Sequence, residues 1–360
     1  MRNSFGTLLE LTLFGESHGA CVGVVLDGLP AGFEIDLDQV QAMMRRRQAR
    51  GKISTQRHEP DQVRIVSGFF EGRTTGTALT ILIENTNTRS GDYERTRYRL
   101  RPGHADFTAF EKYHGFQDFR GGGHFSGRLT GPIVAAGAIC AQILESKGVR
   151  IATHIESLHG IKDRSFADFA ADRAFLQTAD FPALSETAAS EMKTLIEETA
   201  ARGDSVGAIL ETRIEGLPAG IGEPFFDSVE SQLARLFFSV PAVKGVSFGE
   251  GFGFERLFGS QANDPFILQE DTIVTSTNRN AGINGGITNG MPVILHTVIK
   301  PTASIFVTQH SVDYKTREET ELQLKGRHDP CIAHRAAPVL DAMAAIGLLD
   351  LWMVKEGEEL

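Results

Sequence analysis

Residues Ala20–Asp27 read ACVGVVLD and run into GLPAG at Gly28–Gly32; Ser205–Glu215 read SVGAILETRIE and run into the same GLPAG at Gly216–Gly220. Both leading segments have the branched apolar character of strands. Both pentapeptides are followed by a helical pattern, from about Asp38 to Arg47 and from Asp227 to Val240. In the second helix Val229, Leu233, Leu236, Phe237 and Val240 share one face. Recurrence of a five-residue string in matching context 188 positions later is improbable by chance. The sequence therefore predicts an internal duplication, with related halves around 20–50 and 205–240 built on a shared core. No low-complexity linker separates them, which favours a single domain over residues 1–360.

Outward from these halves, Gln62–Phe70 and Thr77–Glu84 suggest paired strands around a glycine-rich turn. Ile133–Leu144 is apolar nearly all round and rich in alanine, the mark of a central helix packed on both sides. A strand is expected over 151–159, and Phe166–Ala201 reads as helical and peripheral, with Gly203 as its stop. Ile273–Gly290 ends in NRNAGINGGITNG, which is too irregular for a helix. Pro292–Ile299 is a buried strand and Leu340–Trp352 a closing helix.

With 360 residues and 41% apolar content, the chain can bury a sizeable core. No run of about 18 apolar residues occurs, and Met1–Ser17 lacks the layout of a secretion signal, so a cytoplasmic protein with no membrane contact is expected. Cys21, Cys140 and Cys331 are widely spaced without a C-x-x-C pair; buried thiols are expected, with no disulfide framework and no metal site. The net charge of −10 argues against nucleic-acid binding. Yet Arg45, Arg46, Arg47, Arg50, Lys52 and Arg57 cluster, as do Arg95, Arg97, Arg99 and Arg101. Concentrated cations on an acidic protein predict a local pocket for a small polyanion.

The polar run Arg101–Gly131 concentrates groups able to do chemistry. Gly121, Gly122 and Gly123 free the backbone to approach a ligand, beside a titratable ring at His124, a hydroxyl at Ser126 and a cation at Arg128. Pro132 opens the helix that follows, and a glycine-rich loop before a helix N-terminus suits an anion. Four other loops carry similar groups: Gly15–Gly19 with His18, the arginines ending the first helix, Lys300–Ser304, and Gly326–Cys331 with Asp329. Each has a plainer reading. His18 could serve only in a turn, the arginines could complement a helix C-terminus, and Asp329 could cap a helix with Pro330 at its first position. No nucleophile elbow, Walker loop, G-x-G-x-x-G or H-E-x-x-H occurs. What remains is an anionic substrate handled by acid–base chemistry. The alternatives are a non-catalytic binding protein for a phosphorylated metabolite, and metal-assisted phosphate hydrolysis using His18, His104 and Asp329.

Ten ordered motifs then carry a resemblance: GESHG at Gly15–Gly19, RRR with TQRHEPD at Thr55–Asp61, RSGDY at Arg89–Tyr93, RPGHAD at Arg101–Asp106 and RGGG at Arg120–Gly123. GDSVG at Gly203–Gly207, PAVKGV at Pro241–Val246, NGGITNG at Asn284–Gly290, KPTASI at Lys300–Ile305 and GRHDPC at Gly326–Cys331 complete the set. Over nearly its whole length the chain resembles chorismate synthases. That resemblance implies an α+β fold, a β-α-β sandwich whose two antiparallel sheets enclose helices, usually assembled as a homotetramer. It implies a lyase of aromatic amino acid biosynthesis that eliminates phosphate from 5-enolpyruvylshikimate 3-phosphate to give chorismate, and needs reduced FMN without net redox change. The resemblance leaves two sources of reduced flavin open, reduction by the chain itself or supply by a flavin reductase, with NADPH as an indirect reductant.

Carried over by similarity, His18, positioned with Ser17, meets the departing phosphate. His104 protonates or balances the reduced flavin, and Asp329 assists removal of the ring proton with the flavin N5. Arg46, Lys52, Arg128 and Arg327 would hold substrate carboxylates and phosphate. Flavin contacts would fall at His124, Phe125 and Ser126, at Pro241, Ala242 and Gly285, along Lys300, Pro301, Thr302, Ala303 and Ser304, and at Arg327. This chain departs from the commoner pattern at His124-Phe125, where Phe125 supplies no hydroxyl, and at Lys52, where a point charge replaces a planar fork. His114 lies outside the matched motifs and receives no role.

Overall fold

The computed structural model describes residues 3–49, 51–54, 60–87, 94, 97–324 and 328–358. Strands β1 (Ser4–Phe5), β2 (Glu10–Gly15), β3 (Cys21–Asp27), β4 (Arg64–Ser67) and β5 (Leu79–Glu84) form one antiparallel sheet in the order β1-β2-β3-β5-β4. A second antiparallel sheet, ordered β9-β10-β8-β6-β7, contains β6 (Arg150–Leu158), β7 (Ile161–Lys162), β8 (Ala208–Glu215), β9 (Val243–Phe248) and β10 (Val293–Ile299). Helices α1 (Leu37–Arg47), α2 (Thr130–Ser146), α3 (Val229–Ser239) and α4 (Ala333–Glu358) lie between them. This is the expected α+β sandwich of two sheets enclosing helices.

The middle layer is held by close helix packing. A Cβ at Gly137 of α2 would stand 2.3 Å from Ala342 Cβ of α4, so glycine there sets how near the two axes come. By length and apolarity alone, Gly127–Ser146 and Ala333–Gly357 could cross a membrane; 78% and 83% of those windows are buried inside the protein, which makes them core helices. Asp350 of α4 accepts hydrogen bonds from the N–H groups of Thr7, Leu8 and Leu9 at 2.8–3.1 Å, tying the turn between β1 and β2 to the last helix.

The two GLPAG turns occupy matching places, between β3 and α1 and between β8 and α3. Thr74 serves the first: Gly32 N–H donates to its carbonyl (2.7 Å), Phe33 N–H to its hydroxyl (2.9 Å), and the hydroxyl donates to Pro30 O (2.5 Å). Thr288 serves the second with the same three bonds, to Gly220 (2.9 Å), Ile221 (2.9 Å) and Pro218 O (2.7 Å).

The sequence reading needs adjusting in three places. Residues 166–201 form two helices, Phe169–Thr178 and Glu186–Ala201, because Asp168 and Ser185 each cap a new start and Pro182 lies between them. Residues 273–290 form no helix, as expected; within them Thr272–Thr275 pairs with Phe266–Gln269, and Ile283–Asn284 with Ile287–Thr288. The last helix begins at Ala333, not Leu340, and carries Pro338 inside it; burial of its apolar surface outweighs the roughly 3 kcal/mol cost of an internal proline. Asp329 does not cap that helix, because it is drawn instead into an ion pair with Arg335 at 2.5 Å.

On the second sheet, strand register aligns His154, Glu211 and His296 across β6, β8 and β10. His154 Nδ1 is 3.0 Å from Asp163 and its Nε2 3.3 Å from Glu211, while His296 Nδ1 is 2.8 Å from Glu156. Burial alone would lower the pKa of both imidazoles, but these carboxylates outweigh it and both are raised. Asp163 also accepts from the N–H of Ser185 at 2.8 Å, so it fastens the peripheral helices to the sheet.

Candidate active site

Loop Gly15–Gly19 leaves β2 and returns into β3, and its conformation depends on the triple glycine. Ser17 N–H donates to Gly123 O at 3.1 Å, and His124 Nδ1 lies 2.9 Å from Gly15 O. Gly121 has φ 58°, and a Cβ there would sit 2.2 Å from the His18 ring and 3.0 Å from Ser17 Oγ. Beside Gly122, the same construction falls 3.6 Å from His104 Cε1 and Nε2. Two consecutive backbone positions therefore separate the two imidazoles, and only glycine lets His18 come this close.

His104 is oriented from behind. Its Nδ1 is 2.9 Å from Asp106 Oδ1, and Arg101 clasps the same carboxylate through Nε (2.8 Å) and Nη2 (2.7 Å). Burial would raise the Asp106 carboxyl, but the hydrogen bonds from Arg101 and His104 hold it well below the usual range. An ionised Asp106 accepts from His104 Nδ1–H, which leaves Nε2 beside Gly122 for chemistry.

A second group of charges closes the other side. Asp61 lies between Arg47 Nη2, at 2.7 Å, and Arg128 Nη1. Burial opposes its ionisation, yet the two guanidinium groups keep its pKa low. Arg47 is in turn lowered to about 10 by burial, against the pull of Asp61. Arg128 also donates to Asn85 Oδ1 (2.9 Å) and Glu84 O (3.0 Å), and Asn85 donates to Glu16 O and Gly19 O at 3.0 and 2.9 Å. The clamp thus reaches back to the His18 loop.

The second half contributes through the end of β10. Lys300 Nζ donates to Gly103 O at 2.5 Å and Lys300 N–H to Ala242 O at 2.9 Å, joining the KPTAS, RPGH and PAVKG segments. His328 stacks at a tilt near Phe306, 5.8 Å between ring centres; burial, then the positive charge of Arg101, lowers its pKa to about 4. Two buried hydroxyls in this region, Ser17 Oγ and Thr302 Oγ1, have no hydrogen-bond partner among the described residues. Unsatisfied hydroxyls beside a glycine cradle and a lysine fit a polar, anionic cofactor.

A family model described as chorismate synthase matches residues 9–353. The chain belongs to the chorismate synthase family. A chorismate synthase of Dehalococcoides mccartyi is 46% identical over 98% of this chain and 96% of its own length. One of Thermococcus gammatolerans is 42% identical over 96% of each. A crystal structure of chorismate synthase superposes with a TM-score of 0.76 at 25% identity, covering 98% of this chain and 94% of the other.

Among the residues the chorismate synthase resemblance singles out, Ser17, His18, His104, His124, Ser126 and Arg128 meet around the triple glycine. Ala242 meets Lys300 across the same region. Phe125 is partly exposed, edge-on to Tyr113 at 6.0 Å. Asp329 reaches the clamp through Arg335, whose Nε donates to Arg47 O at 2.9 Å. Three residues are not brought in. Arg46 turns to Asp341, 3.1 Å away on α4; Gly285 lies near the start of β10, the opposite end from Lys300; Lys52 is exposed in the turn after α1. Arg327 lies outside the described residues, as do RSGDY at 89–93 and most of TQRHEPD. Sequence reasoning named Arg47 only as one of the clustered arginines, and gave Asp61 and Asp106 no role of their own. The signal for Arg47 was present: the buried stripe of α1 is Val40, Met44 and Arg47, which is helical spacing.

Proposed function

We propose that the cradle around Gly121–Gly123 is where this chain eliminates phosphate and a ring proton from 5-enolpyruvylshikimate 3-phosphate to form chorismate, with reduced FMN bound beside the substrate. The observation that carries this is the placement of His18 and His104 on successive glycines, next to a buried Ser17 hydroxyl that awaits a partner. His18 protonates the departing phosphate, its loop fixed by the bond from Ser17 N–H to Gly123 O. His104, with Asp106 behind it, would protonate or electrostatically balance the reduced flavin. Asp329, steadied by Arg335, accepts the ring proton. Arg47, Arg128 and Lys300 supply the positive field for a substrate with several anionic groups. When bound, reduced FMN lends electron density transiently, because loss of phosphate and a proton involves no net oxidation. Residues His124–Ser126, Pro241–Ala242 and Lys300–Ser304 would hold it.

The reading extends to the state of the chain. Phe225, Phe226, Phe252, Phe258, Phe266 and Leu268 are exposed, and large apolar side chains left at the surface support burial between copies in a homotetramer. We read the protein as cytoplasmic, supplied with reduced flavin by an NADPH-dependent reductase. The matched GLPAG turns support one domain of duplicated halves.

The test is anaerobic turnover. One equivalent of reduced FMN should support many turnovers, giving phosphate and chorismate in equal amounts with the flavin still reduced at the end. Full activity with oxidised or absent flavin would refute the reading.

A further inference from the structure

Arg46 and Arg47 are adjacent on α1 but serve different spaces. Arg47 faces the site above, whereas Arg46 lines a separate cavity of about 290 Å³. This cavity lies among α1, α2, β6 and the helix Phe169–Thr178, and Asp341 of α4 forms part of its wall. The carboxylate is buried, and its Oδ2 is 3.1 Å from Arg46 Nη1. Its Oδ1 accepts no hydrogen bond among the described residues. Burial pushes the carboxyl up; Arg46, and a Thr153 hydroxyl that leans on the carboxylate without making a well-formed bond to Oδ1, only partly oppose it. Arg46 makes no hydrogen bond among the described residues beyond that ion pair, so most of its fork is available.

The other cation in the wall is already committed. Arg173 pairs with Glu145 and donates to Ile151 O at 3.2 Å. The remaining surface is largely aliphatic, with Ala42, Met43, Ala141, Val149 and Leu176 on it. An acceptor oxygen and a donor fork side by side, against an apolar wall, are complementary to a molecule bearing an ammonium, a carboxylate and a hydrocarbon side chain. An ammonium satisfies the buried oxygen that the protein leaves without a donor, and a carboxylate matches the planar fork. The volume suits a ligand of that size.

We propose that this cavity is a binding site for a small α-amino acid with an apolar side chain, its ammonium on Asp341 and its carboxylate on Arg46.

The test is calorimetric titration of the full chain with L-leucine, and separately with 4-methylpentanoate and 3-methylbutylamine, which lack the ammonium and the carboxylate. Saturable leucine binding with a dissociation constant below about 1 mM is expected. Each truncated probe should bind at least about ten-fold more weakly, since each loses one charge-assisted contact. Ala141→Leu, which fills the cavity from the partly exposed face of α2, should abolish leucine binding while leaving turnover unchanged. Asp341→Asn should weaken leucine at least about ten-fold. No saturable heat with leucine up to about 10 mM, equal affinity for the three probes, or unchanged binding in Ala141→Leu would each overturn the proposal and leave a cavity filled by ordered water alone.

Discussion

In the loop joining β2 to β3, His18 rests on Gly121 beside a serine hydroxyl that has no partner among the described residues, whereas on the second sheet His154 is held on both ring nitrogens by carboxylates. The two environments use the same side chain under opposite conditions. Around His154, Asp163 and Glu211 satisfy the ring, and Asp163 spends its remaining acceptors on backbone N–H groups of the peripheral segment. Around His104 the orienting bond comes from Asp106 behind it, and beside His18 the Ser17 hydroxyl at the glycine cradle has no partner among the described residues. A polar cluster that closes on itself holds structure, while one that keeps donors and acceptors in hand is prepared for something that is not protein.

The comparison breaks most sharply on His18. His18→Ala and His104→Ala should each reduce turnover by about 10²–10⁴-fold with little change in unfolding midpoint; normal turnover with a lowered midpoint would move the histidine concerned into the structural class. Asp329→Asn should fall in the same range, with substrate affinity measured by titration nearly preserved.

In the second sheet the expected effects reverse. Asp163→Ala leaves a buried imidazole and two backbone donors short of an acceptor, and should cost about 3–5 kcal/mol in urea unfolding while the folded fraction retains its turnover. Because His154 and His296 are raised above 6.5 when folded, their contribution is fully present below the unfolded value and is lost as pH rises through the folded one. Unfolding free energy should therefore decline as pH rises above about 6.5, and His154→Gln should flatten that slope. On the acid side, Glu156 and Asp163 are held low, so their contribution is lost as pH falls.

The smallest effect belongs to His114. It is exposed, caps the helix Asp106–Tyr113 with φ 54°, and His114→Asn, which keeps that conformation accessible, should change stability by less than about 0.5 kcal/mol and leave turnover within two-fold.

Much of this was legible from local pattern. GLPAG with its flanking strand and helix, the alanine-rich run that became α2, and the RGGG loop each depend on neighbours close in sequence. What escaped the reading depends on phase and register. Arg46 and Arg47 differ by a single step around α1, yet that step sends one to Asp341 and the other to Asp61. The alignment of His154 with Glu211 and His296 exists only once three strands distant in sequence have paired. Pro338 hid the start of α4, since a proline normally marks a boundary and here the helix runs through it. The gathering of Lys300 with Gly103 joins segments whose sequences give no hint of each other.

Asp350 has a consequence for the order in which the molecule can be made. The three amides it receives belong to residues near the start of the chain, more than 340 positions earlier. At roughly 5–20 residues per second, the ribosome needs on the order of 20–70 s to deliver the carboxylate after those amides have emerged. Through that interval the nascent chain carries Thr7, Leu8 and Leu9 without the acceptor they finally use, and with α2 and the second sheet still lacking α4. Final closure of the fold is thus a late event in synthesis.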